Sequence, residues 1–194
     1  MIVYHFCTSV NEANAYLIID TETKEGLLID VPAWTEGMQK TLDEYNAKLV
    51  GVFITHEHYD HTSGLGDLYK RYPNIKRYPQ EEFFNDPDNE KYNKLTIGQW
   101  EGKILSLPGH TPESVGLYVG NVVFTGDALF AGSVGGTTSP WEAKQQVEAI
   151  WKKIFILPED TLVLTGHGPA TSVAIEKKFN PFLQNDTLSI LTNE

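Results

Sequence analysis

The run Thr55-His56-Glu57-His58-Tyr59-Asp60-His61 constrains this chain more than any other feature. It directly follows an apolar segment, Leu49, Val50, Val52, Phe53 and Ile54, that reads as a buried strand. The fold must therefore carry three imidazoles and a carboxylate at a strand end. Imidazole nitrogen and carboxylate oxygen suit zinc, iron or manganese. Strand-to-loop junctions are also where rigid scaffolds display reactive groups. In extended backbone His56 and His58 point to the same side. Asp60 and His61 come after the strand ends, where the chain can turn them toward a second point. One ion needs only three or four such groups. The surplus leaves two readings, two ions or one ion with a crowded outer shell.

A length of 194 residues predicts a single domain spanning 1–194, with a sizeable core. No stretch approaches the apolar length of a membrane span, and the first residues, Met1 to Phe6, lack the basic start of a signal peptide. A cytoplasmic enzyme with no membrane partner is the expectation. Cys7 is the one cysteine, so neither an intramolecular disulfide nor a thiolate zinc cage is available. It reads as a small strand residue, and His5 likewise. A net charge of −11 argues against a nucleic-acid partner, because phosphate binding needs concentrated Lys and Arg. The one basic concentration is Lys70, Arg71, Lys76 and Arg77, interleaved with Tyr69, Tyr72 and Tyr78. It reads as a solvated helix end and strand, with a patch facing an anionic substrate as the alternative.

Alternation and turn residues predict strands at 2–7, 13–19 and 27–31, then a helix from Thr35 to Tyr45 with Met38, Leu42 and Tyr45 on one face. The strand at 49–54 delivers the histidines. A helix at 63–69 and a strand at 75–78 follow, and then a polar excursion at 79–94. Strands are next expected at 104–107, 115–119 and 122–125, the last two joined at Gly120-Asn121. A long amphipathic helix at 140–155 presents Val147, Ile150, Trp151 and Ile154 as core. A strand at 161–164 and a helix at 174–179 close the pattern. Groups of strands, each closed by a helix, predict two mixed sheets packed together with helices outside.

Three further polar residues share the context of the first cluster. His110, Asp127 and His167 each follow a glycine that ends an apolar run: Gly109, Gly126 and Gly166. Glycine there permits a tight turn near other backbone.

The His-x-His-x-Asp-His run, with later His110, Asp127 and the terminal Gly166-His167-Gly168-Pro169, resembles the metallo-β-lactamase-fold hydrolase superfamily. The likeness spans the chain from Asp30 to Pro169. Leu129-Phe130-Ala131-Gly132-Ser133-Val134-Gly135 and Asn180-Pro181-Phe182-Leu183 make it similar to the short glyoxalase II-like (hydroxyacylglutathione hydrolase-related) subgroup. The resemblance implies an α/β fold, a four-layer αββα sandwich of two mixed β-sheets flanked by helices. It implies two divalent metal ions, zinc foremost, with iron or manganese as alternatives. His56, His58 and His110 would hold one ion, Asp60, His61 and His167 the other, and Asp127 would bridge them. A shared activated water would attack a thioester carbonyl, with Asp60 also able to orient it. Asp30 would support the histidine loop from behind.

The likeness has gaps. The stretch after His167 is too short for the helical domain that supplies glutathione contacts in full-length relatives. Gly135-Gly136-Thr137-Thr138 stands where relatives commonly place Gly-Arg-Thr-Asp. The expected substrate is thus a small molecule, a glutathione thioester or another thioester. A mononuclear iron persulfide dioxygenase using His56, His110 and Asp127 is the alternative, and a lactonase a further one; a metal-binding protein without catalysis is the third class. Asp127 disfavours β-lactam hydrolysis, since many such enzymes carry Cys or Ser there.

Overall fold

The computed structural model describes residues 1–184, so the end of the expected 1–194 domain lies outside the described residues. The chain divides into two compact units, Met1–Lys103 and a second from Ile104 onward.

In the first unit, β1 (Ile2–Cys7), β2 (Asn14–Ile19), β3 (Glu25–Ile29), β4 (Lys48–Phe53) and β5 (Lys76–Tyr78) form one sheet in that order. The first three strands pair antiparallel, and β3, β4 and β5 pair parallel. Parallel neighbours need crossover connections. Here α1 (Glu36–Glu44) joins β3 to β4, and α3 (Leu65–Arg71) joins β4 to β5. The Thr35 hydroxyl accepts the Met38 N–H to start α1. That places Met38 and Leu42 in a core with Leu17, Leu28 and Val52. Because β3 and β4 run the same way, Asp30 and Thr55 leave the sheet at one edge.

Some boundaries differ from the sequence reading. The third strand closes at Ile29 because Asp30 takes a left-handed φ of 53°. The helix expected at 63–69 is α3, shifted by two residues, and an unexpected single turn, α2 (Tyr59–Thr62), precedes it within the histidine run. The Val31 N–H donates to the His61 carbonyl and the Gly64 N–H donates to the Val31 carbonyl, which pins the chain between them. The polar excursion contains a short helix, α4 (Glu81–Asn85), that buries Phe83.

β6 (Lys94–Ile97) and β7 (Trp100–Ser106) form a hairpin of which the sequence pattern assigns a strand only from Ile104, because the exposed Lys94, Thr96, Glu101 and Lys103 hide the alternation before it. Its turn is tied down by carboxylates: Gly98 N–H donates to Glu25 and Gln99 N–H to Asp20, both at 2.8 Å. The Gln99 and Glu22 N–H groups hold the Asp20 carboxyl down at about 2, well below the usual carboxylate range.

The second sheet has the order β11-β10-β9-β8-β7-β6. β8 (Val115–Val119) and β9 (Val122–Gly126) meet at Gly120-Asn121 as expected. β10 (Leu162–Thr165) pairs parallel to β9 and antiparallel to the two-residue β11 (Thr171–Ser172). The long helix is α5 (Pro140–Ala149), capped by Ser139, running on into a π-helical turn at Ile150–Ile154. Val147, Ile150 and Ile154 are core, packed with Leu105, Val123 and Val163, as their spacing predicted. α6 (Val173–Phe179) starts at the Ser172 cap. The architecture is two mixed sheets with helices. Among the described residues no helix is long and apolar enough to cross a membrane.

Candidate metal centre

The first unit assembles one group of ligands around Asp30. Its carboxylate accepts three hydrogen bonds of 2.8 Å, from the Thr55 N–H, the Thr55 hydroxyl and His61 Nδ1. A carboxylate can only accept, so His61 carries its proton on Nδ1 and leaves the Nε2 lone pair for an ion. The Thr55 hydroxyl proton is committed to Asp30. Its oxygen therefore accepts from His56 Nδ1, 3.1 Å away, and His56 Nε2 also keeps a lone pair. One buried carboxylate thus sets the tautomer of two imidazoles, one directly and one through a hydroxyl.

His56 Nε2 lies 3.0 Å from His58 Nδ1, so these two rings converge as the extended spacing predicted. The His56 and His61 ring centroids are 4.3 Å apart. Asp60, on the single turn α2, has its Oδ2 held by Asn11 Nδ2 at 3.1 Å. His5 pairs with Asn14 and stacks on Tyr16, a plain strand role.

The second unit assembles His110, Asp127 and His167. Gly109 (φ 144°) and Gly126 (φ 51°) take backbone conformations open mainly to glycine, turning the chain sharply before His110 and Asp127. His110 Nδ1 donates to the Gly136 carbonyl at 2.7 Å, which again leaves the ring lone pair on Nε2. Asp127 Oδ2 lies 3.6 Å from His110 Nε2 and 3.6 Å from His167 Nε2. Both separations exceed a good hydrogen bond. Two ligand atoms each about 2.1 Å from a shared tetrahedral ion would stand about 3.4 Å apart. The spacing fits one carboxylate oxygen shared by two ions, with one imidazole on each. His56, His61 and His110 each hold their proton on Nδ1, and one carboxylate oxygen stands 3.6 Å from the Nε2 atoms of His110 and His167, an arrangement that suits metal ligation.

Gly135 and Gln146 hold this second group in place. A Cβ at Gly135 would sit 2.0 Å from the Asp127 carbonyl oxygen and 2.9 Å from His110 Nδ1. The buried Gln146 amide donates to the carbonyls of Ala128 (2.9 Å) and Gly135 (3.1 Å). Its Cβ fills the space that a side chain at Gly109 would need. Sequence reasoning missed Thr55, Asn11, Gln146 and the Gly136 carbonyl as parts of the site. Backbone acceptors leave no trace in residue type, and Gln146 lay inside a pattern read for its apolar stripe.

A family model described as the metallo-beta-lactamase superfamily matches residues 9–105 and 95–167. The chain is 30% identical over 202 residues to the Bacillus subtilis protein called probable metallo-hydrolase YqgX, covering 91% of this chain and 95% of that one. It is 28% identical to hydroxyacylglutathione hydrolase GloC of Haemophilus influenzae, over 90% of this chain and 94% of the relative. Among solved structures it is similar to the B3 metallo-beta-lactamase BLEG-1 (TM-score 0.82, 26% identity, 95% of this chain and 100% of that one). It is also similar to TTHA1623 in a di-iron-bound form (TM-score 0.73, 26% identity, 93% and 100%). These matches fit the expected two-sheet metallo-β-lactamase fold, and the His/Asp clusters are consistent with a binuclear metal site. By its matching family model and its relatives, the chain belongs to the metallo-β-lactamase superfamily.

Proposed function

We propose that this metallo-hydrolase cleaves thioesters of the acylglutathione type at a binuclear centre. The observation that carries the reading is Asp127, whose one carboxylate oxygen stands equally far from two imidazole nitrogens. In this reading His56, His58 and His110 would hold one ion and Asp60, His61 and His167 the other, with Asp127 a ligand that both would share. The ligand groups within each unit support it: His56, His58, Asp60 and His61 in the first, and His110, Asp127 and His167 in the second. Bound there, two divalent ions would lower the pKa of water and polarise a carbonyl.

The chain's own residues supply position and tautomer. Asp30 keeps His61 and, through Thr55, His56 in the ligating form. Gly136 does the same for His110. Asp60, steadied by Asn11, is the carboxylate that can also take the proton of an attacking water while it orients it. The likeness to hydroxyacylglutathione hydrolase GloC over 90% of the chain supports a thioester as the bond cleaved. Gly136, in the Gly-Gly-Thr-Thr stretch, brings a backbone carbonyl to His110 and no cation to the substrate.

The test is turnover on a panel of acylglutathione, acyl-coenzyme A and simple alkyl thioesters, with a lactone and a β-lactam alongside. Thioester cleavage that is lost with chelator and regained with added metal is the expected result. Turnover of the lactone or the β-lactam but of no thioester would sink the proposal. Oxygen uptake with a glutathione persulfide on iron-loaded protein, without thioester turnover, would replace it with the dioxygenase reading.

A further inference from the structure

The basic residues singled out in the sequence separate into two sets in the first unit. Lys70 pairs with Asp67 at 2.8 Å and Arg77 pairs with Glu57, so both are spent on neighbouring carboxylates. Arg71 and Lys76 instead line a groove of about 620 Å³ with Lys48, from the start of β4. Among the described residues neither the Lys48 nor the Lys76 ammonium group forms an ion pair, while Arg71 lies over the Trp34 ring at 6.0 Å and its charge also acts on Asp67. Glu25 is the one acid lining the groove, and it already accepts the Gly98 N–H. The groove thus concentrates three cations in a chain of net charge −11.

Its other lining includes Tyr72, Tyr78, Val50 and Ile75 beside the polar Asn74 and Thr96, and the Tyr72 ring also packs on Trp34 while its hydroxyl donates to Gln39. Alternation along β5 sends Lys76 and Tyr78 to this side and Arg77 to Glu57 on the other. No histidine and no candidate metal ligand lines the groove. Lys48 begins β4 and His56 follows its far end, eight residues on, or about 26 Å of extended chain. The cationic end therefore lies well away from the ligating imidazoles. The volume falls in the range of small-molecule sites, about 300–1,000 Å³.

We propose that this groove is a second binding site, separate from the metal centre, that takes a nucleotide. The phosphates would sit among Lys48, Arg71 and Lys76, and the base would lie against Tyr72 or Tyr78. Cations alone would bind any polyanion, and rings alone any flat apolar molecule; their meeting in one groove selects a ligand that carries both.

The experiment is isothermal titration of the metal-loaded protein with Mg-ATP, adenosine, inorganic pyrophosphate and a polyglutamate peptide. One ATP per chain is expected, with adenosine, pyrophosphate and peptide each at least about tenfold weaker. Lys48→Glu/Lys76→Glu should weaken ATP at least about tenfold while leaving metal content and Tm unchanged. If that pair folds poorly, Lys48→Gln/Lys76→Gln should weaken ATP in the same direction. Absence of ATP binding would overturn the proposal. So would equal binding by the variants, which would put ATP elsewhere, including on the metals. Pyrophosphate as tight as ATP would overturn the nucleoside half, and polyglutamate as tight would point to an acidic protein segment instead.

Discussion

Asp30→Asn tests how one carboxylate governs the ligands of the first unit. Asparagine tolerates the left-handed φ of 53° at this position, so the backbone should hold. Its amide oxygen can keep the Thr55 N–H bond, but an NH2 group replaces Oδ2. Two donors, the Thr55 hydroxyl and His61 Nδ1–H, then face a donor. Relief requires His61 to move its proton to Nε2, which removes the lone pair that would reach an ion. Thr55 would turn its hydroxyl away and stop fixing His56.

Loss of such an outer partner weakens metal binding by about 10–100-fold. That corresponds to about 1.4–2.8 kcal/mol. Two hydrogen bonds to a charged group also go, for about 3–6 kcal/mol of gross stabilisation, partly recovered by rearrangement. Chelator-competition titration reads the affinities of the two ions separately. The expected result is one ion weakened by 10-fold or more, the one assigned to His61, with a smaller loss at the ion assigned to His56. A folded variant that binds both ions as tightly as the parent would refute the tautomer argument.

Gly135→Ala should cost most of the activity, because its Cβ would press within 2.0 Å of the Asp127 carbonyl oxygen and 2.9 Å of His110 Nδ1; near-parent turnover would show that this loop is not held where the structure has it. Gln146→Leu strips the donors from two buried carbonyls and should destabilise the protein by about 2–4 kcal/mol in urea unfolding, with kcat falling as the Gly135-Gly136 segment that anchors His110 loosens. Asp20 is ionised in the fold down to about pH 2 and in the unfolded chain only above about 4. Its stabilisation is present above pH 4 and lost as pH falls toward 2, so Asp20→Asn should lower Tm at neutral pH and flatten the acid limb between pH 4 and 2; an unchanged acid limb would count against it.

Much of the site was legible because its ligands are dense in the sequence. His56, His58, Asp60 and His61 fall within one heptapeptide, and His110, Asp127 and His167 each stand just past a strand. Gly109 and Gly126 take positive φ, as a sharp turn before a ligand requires; Gly166 does not, and the turn after β10 uses Gly168 (φ 73°) instead. Asp30 was read as a support for the loop, and it is the acceptor for Thr55 and His61. What escaped depends on contacts far apart in sequence. β6 and the start of β7 carry alternate charged residues that look like loop until Asp20 and Glu25 fix their turn. α2 is a single turn too short to show periodicity, and β11 has two residues. Gln146 is polar on a helix scored for its apolar face, and only the carbonyls of Ala128 and Gly135 explain it.

The central claim is a binuclear centre, and metal stoichiometry tests it most directly. Elemental analysis of protein purified without added metal or chelator should return about two divalent ions per chain. One ion per chain, iron in particular, with no second site filled on titration, would contradict the bridging role assigned to Asp127.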